Sequence, residues 1–307
     1  MKITEIIRER KQPFPSLEIV PPQGGVSQTE LLAAIRPFMA FHPPFINVTS
    51  HRDEVEFRPQ PDGSFSRHVV RRRVSETAVC AAIQAAFPVE VVPHLICAGA
   101  DADRIESRLH DFKFLGISNI LALRGDSLVG EKRFVPEPGG YAHAAELVAA
   151  IRRFDVSGDF CIGVAGYPEK HFEAPNLEQD IAYLKRKVDA GADYVITQMF
   201  FDNAVFYRFR DKCRAAGIDV PLIPGLKPLS SLRQTRLLPE AFSIDIPPAL
   251  VAAMERCGAD AQACYAAGIA WCSDQCADLL AHGVPAVHFY TMGRPDNVVE
   301  ILKRHFG

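Results

Sequence analysis

Eight short apolar runs, each bounded by turn-forming residues, punctuate the chain at residues 16–20, 45–49, 91–97, 120–123, 161–165, 194–197, 221–224 and 286–290. Several are nearly continuous in apolar residues instead of alternating. That is the pattern of parallel strands covered on both faces. Helical periodicity fills the intervals. In residues 176–191, Ile181, Leu184 and Val188 form one apolar stripe. Asn176 is placed to cap that helix, Glu178 and Asp180 to sit at its positive end, and Gly191 to close it. A second helix is predicted over residues 268–283, with Ile269, Cys272, Cys276 and Leu279 on one face. Eight strand–helix units predict an α/β fold, a single-domain (β/α)8 TIM barrel over residues 1–307. The alternative, an open doubly wound sheet, lacks a G-x-G-x-x-G turn after its first strand.

Two intervals are too long for one helix. Residues 55–58 and 64–70 alternate around Pro61-Asp62-Gly63, which predicts a β-hairpin insertion after the second strand. It would stand over the catalytic face as a lid or a subunit contact. Residues 224–286 are expected to hold extra helices before strand 8.

Composition narrows the class. With 48% hydrophobic and 23% charged residues, the chain is ordinary for a globular protein. A formal net charge of −3 supplies no strong pull toward nucleic acid or anionic lipid. Charges interrupt the N-terminal segment, so it is not a signal peptide, and no apolar run is long enough to span a membrane. Eight scattered cysteines without a C-x-x-C pair suggest buried thiols in a reducing cytoplasm. Cys272 and Cys276 share a helix face but lack further ligands, so no metal is expected.

In a barrel of this kind the strand ends supply the chemistry. Those positions hold Glu18, Thr49, His94, the triplet Arg124-Gly125-Asp126, Tyr167 with His171, Gln198, and Tyr290 followed by Arg294. Glu18 reads equally as a paired core carboxylate or as a general acid whose pKa an apolar mouth raises. His94 alone reads as a backbone-bonded core histidine. Arg124 and Asp126 alone read as an ion pair closing a turn. Gln198, among apolar neighbours, can present a donor and an acceptor to a heterocycle. Asp180 and Lys187 fall on one helical face, which alone reads as solvated surface. The basic run 67–73 reads as a solvated face or an anion contact.

Taken together, nine segments resemble one family. They are Leu17-Glu18-Ile19-Val20-Pro21-Pro22, Asn47-Val48-Thr49, Pro93-His94-Leu95, Ala122-Leu123-Arg124-Gly125-Asp126, Gly166-Tyr167-Pro168-Glu169-Lys170-His171, residues 184–192, residues 196–202, Ile223-Pro224-Gly225 and His288-Phe289-Tyr290-Thr291. In this order, across nearly the whole chain, they resemble the flavin-dependent bacterial methylenetetrahydrofolate reductases. The resemblance implies a (β/α)8 barrel and reduction of 5,10-methylenetetrahydrofolate to 5-methyltetrahydrofolate. FAD would carry the hydride, NADH or NADPH would supply it, and the two substrates would alternate. It implies that Glu18 is the general acid and that Asp126 lies near both flavin and pterin. It further implies FAD contacts at Thr49, His94, Arg124, Gly125, Asp126, Tyr141, Tyr167, His171, Asp180, Arg186 and Lys187. Folate contacts would be Gln198, Gln234, Tyr290 and Arg294. It also implies a homo-oligomer in the cytoplasm that supplies methyl groups for methionine synthesis.

Three departures stand out. Leu17, Ile19 and Val20 flank the acid where the family usually has aromatics. Leu238 occupies the place of a stacking phenylalanine. The hairpin at 55–70 exceeds that loop's expected length. The second and third departures motivate an alternative, a flavin-binding subunit that needs a protein electron donor. A proline dehydrogenase-like oxidase and a zinc-thiolate methyltransferase share the expected scaffold. No C-terminal regulatory domain, and no inhibition by S-adenosylmethionine, is expected.

Overall fold

All eight apolar runs are strands in the computed structural model, which describes residues 1–126, 133–292 and 296–307. In chain order the strands are β1 (Phe14–Ile19), β2 (Phe45–Val48), β3 (Glu54–Pro59), β4 (Phe65–Val70), β5 (Glu90–Ile96), β6 (Asn119–Leu123), β7 (Cys161–Gly166), β8 (Tyr194–Met199), β9 (Leu222–Leu226) and β10 (Ala286–Tyr290). The helices are α1 (Ile3–Glu9), α2 (Gln28–Met39), α3 (Glu76–Ala86), α4 (Ala102–Phe114), α5 (Ala144–Phe154), α6 (Leu177–Asp189), α7 (Asn203–Ala215), α8 (Gln234–Phe242), α9 (Pro248–Cys257), α10 (Ala261–Ala281) and α11 (Asp296–His305). Parallel pairing runs β1-β10-β9-β8-β7-β6-β5-β2 and closes into a barrel. Closure excludes the open sheet.

Side chains alternate along each strand, so every second residue enters the barrel. Phe14, Phe45, Val92, Leu121, Tyr194, Ile196 and Ile223 fill its floor, and Ile3 and Ile6 of α1 seal it from below. Higher up the same strands, polar residues replace apolar ones. That change of chemistry sets a polar mouth apart from the apolar floor.

Local signals explain the helices. Asn176 accepts from the Gln179 N–H at 2.8 Å, capping α6 as its position predicts. The expectation for residues 268–283 started too late, because α10 begins at Ala261. Asp260 caps it, accepting from Gln262 and Ala263 N–H at 2.9 and 3.0 Å. Gly268 reads as a boundary but lies inside the helix. A Cβ there would stand 1.8 Å from the Leu229 carbonyl oxygen, so the glycine permits close packing instead of ending the helix. The expected extra helices between β9 and β10 are α8, α9 and α10.

The predicted hairpin is β3–β4, antiparallel, with Phe57 opposite Arg67 and Val55 opposite Val69. Phe57, Phe65 and Val69 are exposed. Its base is fixed to the barrel. Arg52 pairs with Glu137 at 2.7 Å, and Arg73 donates to the Pro21 carbonyl at 2.9 Å.

Candidate active site

Glu18 sits near the top of β1, paired in register with Tyr290 on one side and Asn47 on the other. Only 14% of its side chain is exposed. Burial pushes its carboxyl up to about 8. The nearest charge-capable neighbour gives no compensation. His94 Nε2 lies 3.7 Å from the Glu18 carboxylate oxygen, beyond hydrogen-bond distance. Burial also pushes His94 down to about 3, so that ring is neutral at pH 7. Glu18 therefore holds its proton at neutral pH.

A polar layer lies beneath it. Ser16 Oγ is 2.9 Å from His288 Nδ1, and the His288 ring meets Tyr290 edge-on at 5.0 Å. Both side-chain polar atoms of Asn47, with His94 Nε2 and His288 Nε2, are buried without a hydrogen-bond partner among the described residues. Buried polar atoms are normally satisfied. Several unmet together above an apolar floor mark a place built to meet polar groups from outside the chain.

A second wall stands at the ends of β6 and β7. Gly125 adopts φ +82°, and a Cβ there would come within 2.8 Å of Ala98 Cβ. Only glycine takes this path easily, and it brings the backbone close to the mouth. Arg124 does not pair with Asp126. It forms a two-pronged ion pair with Glu173 and lies 5.0 Å from the Phe134 ring. Asp126 is exposed at the mouth. Tyr167 packs edge-on against His171 at 4.8 Å, and burial pushes its hydroxyl up to about 12. The His171 N–H donates to Asp180 at 3.1 Å, while burial and then Arg124 push its ring down to about 4.

The face shared by Asp180 and Lys187 is not a solvated surface. Asp180 is buried, and Lys187 Nζ donates to the Ala165 carbonyl at 2.9 Å, 5.7 Å from the Tyr167 ring. Burial pushes Lys187 down to about 8, against the opposing pull of Asp180. Arg186 is exposed over Tyr183. Tyr141 is half-buried against the apolar shell outside the barrel. Arg124, Tyr167, His171, Asp180 and Lys187 thus form one connected wall, with Arg186 on its outer rim.

The third side is shaped by a register shift between β8 and β9, at Ile196 and Met199. Pro224 lies opposite and has no N–H to give, so the ladder breaks there. Thr197 Oγ1 instead accepts from Gly225 N–H at 3.0 Å, and Tyr290 Oη donates to the freed Thr197 carbonyl at 2.7 Å. A Cβ on Gly225 would fall 2.3 Å from that carbonyl oxygen and 2.6 Å from the Tyr290 ring. Gln198 projects from the irregular stretch. Its Oε1 accepts from Met199 N–H at 2.9 Å, and its amide nitrogen is unused among the described residues. Gln234 Oε1 accepts from Ser230 N–H at 2.7 Å, which holds the turn before α8. Leu238 is buried in a separate cluster with Met199, Phe201, Leu250 and Met254. Arg294 lies outside the described residues.

A family model described as methylenetetrahydrofolate reductase matches residues 2–305. The chain belongs to the methylenetetrahydrofolate reductase family. Among relatives in that family, 5,10-methylenetetrahydrofolate reductase of Salmonella typhimurium is 34% identical over 281 residues, 92% of this chain and 86% of that protein. The Escherichia coli enzyme of the same name is 33% identical over the same shares. Methylenetetrahydrofolate reductase (NADH) 1 of Arabidopsis thaliana is 38% identical over 234 residues, 73% of this chain but 39% of the plant protein. Two solved structures share the fold at 11% identity. A Clostridium thermocellum protein that binds two copies of 5-methyl-5,6,7,8-tetrahydrofolic acid has a TM-score of 0.62, covering 99% of this chain and 98% of its own. A 2,3-dimethylmalate lyase has a TM-score of 0.51, covering 98% and 85%.

In this member of the methylenetetrahydrofolate reductase family, the mouth also holds Ser16, Asn47, His51 and His288, none of which is a candidate site residue from its place in the sequence. Strand periodicity could have found Ser16 and His288, each two residues before a chosen one and on the same barrel face. Asn47 pairs with Glu18 across β1 and β2. His51, beyond β2, carries no such signal, because a loop has no period.

Proposed function

We propose that this chain reduces 5,10-methylenetetrahydrofolate to 5-methyltetrahydrofolate, with FAD as hydride carrier and NADH or NADPH as donor. The observation that carries the reading is Glu18: a carboxyl holding its proton at neutral pH inside a barrel mouth. Opening the five-membered ring of the substrate needs a proton on the bridging nitrogen, and a buried carboxylic acid is suited to give it. The product is an electrophilic iminium on the one-carbon unit. Asp126, exposed at the same mouth, would favour that positive charge. Gln198 would offer its free amide N–H to the pterin, and Tyr290 and Gln234 would shape the folate side. Arg294 would extend it.

FAD, when bound, supplies the hydride for the iminium and recovers it from the nicotinamide, so the two substrates take turns. The residues present fit such a group. The unmet His94 Nε2 and the close backbone at Gly125 suit a polar ring edge. Thr49 stands beside them. Lys187, Arg124 and Arg186 suit a diphosphate, and Tyr167 with His171 suits stacking. Asp180 holds the His171 backbone, and Tyr141 backs the wall.

All eight cysteines are free thiols, and no helix among the described residues is long and apolar enough to cross a membrane. The free thiols fit a reducing compartment, and the family resemblance is what places the chain in the cytoplasm as a homo-oligomer of one-carbon metabolism that feeds methionine synthesis.

The test is product analysis. Purified protein loaded with FAD should form 5-methyltetrahydrofolate from methylenetetrahydrofolate with NADH or NADPH. Formation only after adding a protein electron donor would favour the partner-dependent alternative. No product under either condition would refute the proposed activity.

A further inference from the structure

The hairpin insertion brings two side chains to the mouth at its base, not at its tip. His51 lies three residues before β3 and Arg73 three residues after β4. Arg73 is pinned by its bond to the Pro21 carbonyl and by a bridge to Gln23. His51 Nε2 lies 3.0 Å from Thr49 Oγ1. The Thr49 N–H donates to the Ile19 carbonyl at 3.0 Å, and the residue is buried. Its backbone is therefore fixed, and the open variable is where its hydroxyl proton points.

We propose that His51 is a positioning residue that sets the polarity of the Thr49 hydroxyl toward the bound cofactor. The assignment rests on reading Thr49 as part of the FAD site. A hydroxyl carries one proton and two acceptor positions. Against a neutral ring with bare Nε2, the hydroxyl gives its proton to the histidine and offers only its oxygen to a ligand. Against a protonated ring, Nε2–H donates, and the hydroxyl proton turns toward the ligand instead. One proton on His51 thus reverses what Thr49 presents.

The surroundings hold the ring neutral. Burial first, then Arg73, lowers its pKa, while Asp126 after β6 and Glu76 of α3 oppose that shift. His94 of β5 also faces it and, being neutral at pH 7, adds no charge. In the proposed arrangement the neutral ring carries its proton on Nδ1, so that Nε2 accepts from Thr49 at pH 7. This polarity reverses as pH falls below the usual histidine range and the ring gains its second proton.

The test is FAD affinity, measured by calorimetric titration of nucleotide-free protein between pH 5.5 and 7.5, below the pH of about 8 at which Lys187 loses its charge. Wild type should bind evenly from pH 7 to 7.5 and weaken several-fold by pH 5.5. His51→Phe should bind about tenfold more weakly at pH 7.5 and lose the pH slope, the loss expected for one hydrogen bond. His51→Gln should restore affinity to within about threefold at pH 7.5, still without the slope, because an amide keeps the bond but does not titrate. A slope that persists in both variants, or wild-type affinity in His51→Phe, overturns the proposal and leaves the flavin reading standing. Wild type that binds no FAD at any pH overturns the flavin reading itself, and this assignment with it.

Discussion

Glu18→Gln is expected to slow the folate half-reaction about 1,000-fold while reduction of the flavin by the nicotinamide stays within about threefold, the loss typical of removing a general acid. Gln matches Glu in shape and keeps the fit to β10 and β2, but its amide has no proton to release at neutral pH. Only the step that needs a proton on the substrate suffers. Rapid-mixing spectrophotometry of the two half-reactions separates them, and equal loss in both would remove Glu18 from its assigned role. The pH profile gives a second reading. The wild-type folate half-reaction should hold through neutrality and decline as pH rises through about 8, where Glu18 loses its proton. The same variant should be the more stable protein at neutral and alkaline pH. The carboxyl moves from 4.5 to about 8 on folding, so the folded state retains a proton that the unfolded chain has released between those values. Stability is lost as pH climbs through that window, by about 3 kcal/mol at pH 7. Glu18→Gln removes this cost. Its melting temperature should exceed wild type at pH 7.5 and match it near pH 4.

Lys187→Met carries the next largest effect, with opposite signs in two measurements. Without ligand, Lys187 is a cation set under the end of β7, satisfied by the Ala165 carbonyl and the Tyr167 ring. Burial lowers its pKa from 10.5 to about 8, so the folded state resists the charge that the unfolded chain carries freely. The cost is fully present below about pH 8 and disappears as pH rises toward 10.5. Methionine fills similar volume without that charge. The ligand-free variant should therefore melt higher than wild type at pH 7, with the gap closing by pH 10.5. FAD affinity should fall about 10- to 100-fold, because a charge-assisted bond to an anionic group is lost. A variant that melts lower and binds FAD normally would make Lys187 a structural residue only.

Much of the fold is legible because burial on both faces leaves its mark in the composition of each strand. The eight runs match the barrel strands to within about two residues, and Asn176 caps α6 where its position says it must. The hairpin is equally visible, since alternation and a Pro-Asp-Gly turn need no tertiary context. The start of α10 is not, because Gly268 has the same appearance whether it ends a helix or admits a neighbouring carbonyl. At the site, strand ends pointed to Glu18, His94 and Tyr290. The role of the β8–β9 irregularity in freeing the Thr197 carbonyl depends on Pro224 of a neighbouring strand, which no single segment reveals. In sequence, Arg124 has Asp126 as its nearest acidic partner, two residues away. It pairs with Glu173, forty-nine residues on, because folding brings the loops after β6 and β7 together. Leu238 stands where the resemblance led one to look for a stacking aromatic. It is buried against Met199 and Met254, so that position serves the packing of α8.

The central claim is that one barrel mouth takes reducing equivalents from a nicotinamide and passes them to a folate. Its most direct test is the visible absorption of the FAD-loaded protein without oxygen. Adding NADH or NADPH should bleach the flavin band, and adding methylenetetrahydrofolate should then restore it. A band that no nicotinamide bleaches, or that bleaches and is not restored by the folate, would contradict the account.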